Sequence, residues 1–146
     1  MTRIRSHRVK NGTKELQRIM ASFKGRSKVK VGFPTGVDDE ILNKAVWNEF
    51  GTEHIPERPF IRNGLRDGVG ELKRVSRLVA ARVVDGNLTT RQALNQLGKT
   101  GADLVKQSAI DLKDPPNAEV TVSRKGSSNP LIDTNEMVGS VTWEVE

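Results

Sequence analysis

Two histidines, His7 and His54, and the absence of cysteine bound the chemistry open to this 146-residue chain. Without a thiol there is no thiolate nucleophile, no disulfide framework and no cysteine-ligated zinc or iron–sulfur centre. Glu53-His54 and the Asp38-Asp39-Glu40 cluster offer the nitrogen and oxygen ligand types of a metal site. A lone loop histidine is more often a hydrogen-bonded surface group, however, and acids at a helix start are accounted for by the helix dipole. Gly98-Lys99-Thr100 has the form of a P-loop ending, but Ala93 stands where the motif needs its first glycine, and no strand precedes it. Ser76 and Ser108 fall on helical repeats without a nucleophile-elbow context. These residues predict no enzyme, no cofactor and no metal.

The charge points instead to a binding role. Residues 1–30 carry ten bases against one acid, Glu15, a net +9, while the remainder carries 14 bases against 17 acids, a net −3. A basic segment beside a mildly acidic body suits a polyanion or an acidic protein surface. Arg3, Arg5, Arg8 and Lys10, with Arg124 and Lys125 further on, are the candidate polyanion contacts. Aromatic residues are only 4% of the chain and none lies between Arg3 and Lys10, so contact with DNA would be contact with its backbone. No apolar run approaches the roughly 20 residues of a membrane-spanning helix, and no signal-peptide core follows the first residues.

The elements that position these groups follow from periodicity. Leu16, Ile19, Met20 and Phe23 share one helical face over about 13–23, and Val29, Val31 and Phe33 alternate as in a half-buried strand. Asp38 and Asp39 open a helix carrying Ile41, Leu42, Ala45, Val46 and Phe50, with Gly51 at its end. Residues 51–60, with Pro56 and Pro59, are irregular. Helical spacing from Ile61 through Val83 predicts one long helix, weakened at Gly64, Gly68 and Gly70. A second, capped at Thr89 or Thr90, carries a stripe of Leu94, Leu97, Gly101, Leu104, Ser108 and Leu112 and stops at Pro115-Pro116. The period then changes to two at Val120 and Val122 and again at Val141, Trp143 and Val145. The expectation is α+β: long helices packed on one face of a small, mainly antiparallel sheet. A basic N-terminal arm, 1–12, precedes a single domain, 13–146, in which 123–130 is a mobile connection.

The segment Ala45-Val46-Trp47-Asn48-Glu49-Phe50-Gly51-Thr52-Glu53-His54-Ile55-Pro56-Glu57-Arg58-Pro59-Phe60-Ile61-Arg62 resembles the "NEFGT…IPxRPF(hydrophobic)R" signature of small virion-morphogenesis proteins of long-tailed bacteriophages. The later run Pro130-Leu131-Ile132-Asp133-Thr134-Asn135-Glu136-Met137-Val138-Gly139-Ser140-Val141-Thr142-Trp143 is similar to that family's "PLxDTGxMxxSVTW" ending. Asn135 replaces the usual glycine, a mild change where the backbone must be left-handed. The resemblance implies a non-enzymatic tail-completion or neck subunit that forms a ring at the head–tail junction, with packaged DNA passing through its lumen. Its implied partners are neck, connector or tail-tube subunits and further copies of itself. It implies a place in the virion, at the head–tail junction or upper tail, and in the host cytoplasm during assembly. The alternatives are a tail terminator capping the tube and a small DNA-binding accessory protein without sequence specificity.

The residues compatible with a subunit interface are Trp47, Phe50, Ile55, Pro59, Phe60 and Arg62. A loop that is both proline-stiffened and apolar loses little freedom on docking. Ile55 and Phe60 are equally compatible with capping the protein's own core, and Trp47 with core packing.

Overall fold

The computed structural model describes residues 12–25, 27–116, 123 and 135–146. The elements are α1 (Gly12–Ser22), β1 (Val29–Gly32), α2 (Asp39–Phe50), α3 (Phe60–Asp67), α4 (Val69–Val84), α5 (Thr90–Asp111), α6 (Glu136–Gly139) and β2 (Thr142–Val145). The arm residues 1–11, the alternating segment at 119–122 and the connection at 124–130 lie outside the described residues.

Local chemistry sets most boundaries. The Asp38 carboxylate accepts the Glu40 N–H at 2.7 Å and starts α2. Gly51 ends it at φ +72°, and a side chain there would also press on the backbone of Ile55 and Glu57 at 3.1 Å. Thr89 and Gln92 form a reciprocal capping box that opens α5. Asn135 is left-handed, with φ +62°, immediately before the short α6.

The single long helix expected from Ile61 is instead two, divided at Gly68. Gly64 and Gly68 lie where α3 crosses α5: a Cβ on Gly64 would stand 2.9 Å from the Leu104 carbonyl oxygen and the Val105 Cα. The glycines that permit this approach also weaken the helix locally, and the chain turns there.

β1 and β2 pair antiparallel, with Val29 opposite Val145, Lys30 opposite Glu144, Val31 opposite Trp143 and Gly32 opposite Thr142. α5 packs against this pair as well as against α3, α4 and α6, so the longest helix is the centre of the fold. Its buried positions are small: Ala93, Gly98, Gly101, Ala102, Val105 and Ala109. The expected leucine stripe is therefore shifted. Leu94, Leu97, Leu104 and Leu112 are half-buried flanks, because small side chains let the neighbouring backbones come close along the centre. Trp143 lies over Gly98, and its indole N–H donates to Asn95 Oδ1 at 3.1 Å.

The main core joins Ala45, Phe60, Ala102, Val105, Ala109, Met137, Val138 and Val141, with Val31, Phe33 and Trp143 packed on it. A second cluster, Val79, Val83 and Ala93, joins α4 to the start of α5. α1 rests on the rest by the side that carries Arg18 and Ser22, with Ile19 half-buried there. Arg18 donates to the Val84 carbonyl at 3.0 Å, and the Thr90 hydroxyl donates to the Ser22 carbonyl.

Gly98→Ala would place a methyl 2.6 Å from Trp143 Cγ and 2.9 Å from Val29 Cγ1. It is expected to destabilise the chain by about 1–3 kcal/mol in urea unfolding. Gly70→Ala, in a helix with open space around it, should instead stabilise by about 0.5–1 kcal/mol. Equal effects at the two positions would refute the close packing of α5 on the sheet.

Candidate functional site

The irregular segment between α2 and α3 is held by four polar side chains that flank it in sequence or lie within it, Asn48, Glu49, Arg58 and Arg62. Arg58 is buried, and its guanidinium donates to the carbonyls of Pro115 at 2.8 Å and Pro116 at 3.1 Å and to Asn48 Oδ1 at 3.3 Å. The Arg58 backbone N–H donates to the Asn48 carbonyl at 2.6 Å. Arg58 thus ties the loop to α2 and to the chain leaving α5. Burial lowers the affinity of its guanidinium for the proton, yet an arginine remains charged under any ordinary condition.

Glu49 is the second tie. Its side chain, buried on α2, accepts the N–H of Ile61 at 2.9 Å and of Arg62 at 3.1 Å. These are orphan donors of the α3 start, where Pro59 provides no side-chain cap. A carboxylate from another helix does the work of an N-cap and also meets the positive end of the α3 dipole. Arg62 closes the arrangement, donating to Glu49 Oε1 at 3.0 Å, to the Glu49 carbonyl at 2.6 Å and to the Glu57 carboxylate. Hydrogen bonds to Glu49 and then Glu57 raise the Arg62 pKa above its ordinary value. The Arg62 guanidinium also lies 5.3 Å from the centre of the Phe50 ring. Within the loop, the Thr52 hydroxyl oxygen accepts the N–H groups of His54 and Ile55, and the Thr52 N–H donates to the Ile55 carbonyl at 2.8 Å.

On this frame α2 turns an apolar face outward. Leu42, Val46 and Phe50 recur at i, i+4 and i+8, with Trp47 beside them. Phe50 is 66% exposed and Trp47 45% exposed. Of the apolar residues that the sequence places on this helix, Leu42, Val46 and Phe50 are thus exposed. The buried side of α2 is narrow, Ala45 and Glu49 with Ile41 partly covered; among the described residues its principal neighbours are α3 and α6.

Of the residues proposed for an interface, Trp47 and Phe50 stand on this face, and Arg62 is at its edge under Phe50. Ile55 and Pro59 are half-buried. Phe60 is 0% exposed in the main core and leaves the interface set: the first residue of α3 must point inward where the loop closes over the core. The polyanion residues Arg3, Arg5, Arg8, Lys10, Arg124 and Lys125 lie outside the described residues. Leu42 and Val46 join Trp47 and Phe50 on this face, although the sequence reading did not name them for an interface. Asn48, Glu49 and Arg58 are frame residues that the sequence did not distinguish, because the motif carries five other polar side chains, Thr52, Glu53, His54, Glu57 and Arg62.

Among the described residues no three histidine or acidic side chains converge on a point that could hold a metal, so Glu53-His54 and Asp38-Asp39-Glu40 do not assemble into a site. No described helix is long and apolar enough to cross a membrane. No protein-family model, curated protein or solved structure matches the chain. What the geometry offers is an exposed apolar face on a helix tied by hydrogen bonds to the loop that follows it.

Proposed function

We propose that the chain is a structural subunit of phage assembly, a tail-completion or neck protein that forms a ring at the head–tail junction and acts by binding, without catalysis. The observation that carries this reading is the outward face of α2. Its large apolar side chains stand on a frame built by Asn48, Glu49, Arg58 and Arg62, all within the motif that carries the family resemblance. A contiguous exposed apolar patch on a rigid base is the form of a protein-binding surface, and tryptophan and phenylalanine are effective anchors in such surfaces. Neighbouring neck, connector or tail-tube subunits are the partners in this reading, and the bases of residues 1–10 supply contacts to DNA in the lumen.

The role is tested by electron microscopy of lysates from the parent phage with this gene deleted. DNA-filled heads beside unattached tails are expected, and tails of irregular length would point to a terminator instead. Normal infectious particles would end the assembly reading. At the residue level, the double variant Trp47→Ser and Phe50→Ser is expected to stay within about 1 kcal/mol of wild-type stability, since both side chains are exposed. It should nevertheless fail to restore infectious particles to the deletion strain. Full complementation by a folded double variant would remove α2 from the interface.

A further inference from the structure

The α2 face has a counterpart on the same chain. α1 is attached through Arg18 and the Ser22 carbonyl, with Ile19 half-buried beside them, which leaves the rest of its apolar stripe outward, with Leu16 57% and Phe23 50% exposed and Met20 between them. The two stripes have similar length, 11 residues in α1 and 12 in α2, about 16–18 Å each. Their charges are opposite. Exposed Lys24 and Lys28 follow the end of α1, whereas exposed Asp38, Asp39 and Glu40 mark the start of α2. Lys14 at the beginning of α1 has its counterpart in Glu53, just beyond the end of α2.

We infer that α1 of one copy seats antiparallel on α2 of the next copy, apolar stripe on apolar stripe, with Lys24 and Lys28 against Asp38, Asp39 and Glu40. Bases stand at both ends of α1 and acids at both ends of α2, so either direction joins unlike charges; the antiparallel one sets the larger groups together, Lys24 and Lys28 against Asp38, Asp39 and Glu40, and opposes the two helix dipoles favourably. Because the two faces differ, the contact is head-to-tail, and repetition of it closes into a ring or extends as a filament. This deepens the proposed assembly role, on which it rests for its place in the particle. One helix pair buries less than the roughly 1,200–2,000 Å² of a stable standard-size interface, so association in free solution is weak and grows with concentration.

The test is sedimentation velocity on the full chain from about 10 µM to about 1 mM, at low and high salt. The wild-type chain is expected to rise about twofold or more in weight-average mass across that range and to lose part of the gain in high salt. Met20→Asp spoils the α1 stripe and Val46→Asp spoils the α2 stripe. Each variant alone should remain monomeric, and an equimolar mixture should form a heterodimer that stops at two chains, because one intact stripe of each kind remains. Self-association by Met20→Asp alone would mean that α2 pairs with α2 and would overturn the proposal. A mixture that stays monomeric, or a wild-type chain monomeric throughout, would overturn it too. Should an aspartate variant fail to fold, the charge reversals Lys24→Glu and Asp39→Lys serve in its place: each alone weakens association, and mixing the two restores it. Particles that still form normally with the gene deleted would refute the assembly role while leaving this contact standing, so the two failures are distinguishable.

Discussion

Replacing Phe60 by alanine is expected to lower the unfolding free energy by about 3–5 kcal/mol, as seen for aromatic side chains removed from closed cores. Phe60 is fully buried among Ala45, Ala102, Val105, Ala109 and Val141, residues drawn from α2, α5 and the approach to β2. Its ring fills the junction at which the loop after α2 returns to the core. Alanine there leaves a cavity on which small, already tightly packed neighbours cannot close. A loss of that size is a large fraction of the 5–15 kcal/mol typical of a folded domain. Phe50→Ala, ten residues earlier in the same motif, should cost no more than about 1 kcal/mol, mostly the ring's contact with Arg62. The contrast is read from urea midpoints of the two variants. If the two effects were reversed in size, the assignment of Phe60 to the core and Phe50 to the surface would be wrong.

The second large effect is expected at Glu49. Glu49→Ala leaves the N–H groups of Ile61 and Arg62 without their acceptor and takes from Arg62 one of its two carboxylate partners. Each unsatisfied part-buried donor is worth about 1–3 kcal/mol, so a total loss of about 3 kcal/mol is expected. Glu49→Gln keeps the shape and one carbonyl oxygen, and should lose about half as much. Amide hydrogen exchange at Ile61 and Arg62 separates this cause from general loosening. Those two amides should exchange faster in Glu49→Gln, while Ala102 and Val105 in the centre of α5 keep their wild-type protection. Unchanged exchange at the α3 start would mean that the remote cap does not hold the helix.

The two predictions concern one structural idea. The motif 45–62 turns two of its charged residues inward, Glu49 and Arg58, and two of its aromatic residues outward, Trp47 and Phe50. The usual distribution is the opposite, since charged residues are seldom fully buried unless paired and hydrogen-bonded. Both buried charges satisfy that condition, Arg58 with three oxygen acceptors and Glu49 with backbone amides and Arg62. Reversed polarity of this kind holds a loop in one conformation while leaving apolar side chains free for a partner.

The sequence by itself determined the local features. Capping at Asp38 and at Thr89 with Gln92, the glycine stop at Gly51, the left-handed residue at 135 and the alternation at 29–33 and 141–145 are each decided by neighbours a few residues apart. Tertiary structure alone decided which surfaces are covered. Hydrophobicity states that Phe50 and Phe60 both favour burial, but whether a face is covered depends on which elements reach it, and among the described residues α3 and α6, the principal neighbours of α2, leave Leu42, Val46 and Phe50 exposed. The division at Gly68 and the use of α5's small residues as its buried centre follow from how closely α3 and the sheet approach α5. The partners of Arg58 and Glu49 lie 10–58 residues away in sequence, so only the folded chain brings them within hydrogen-bonding distance.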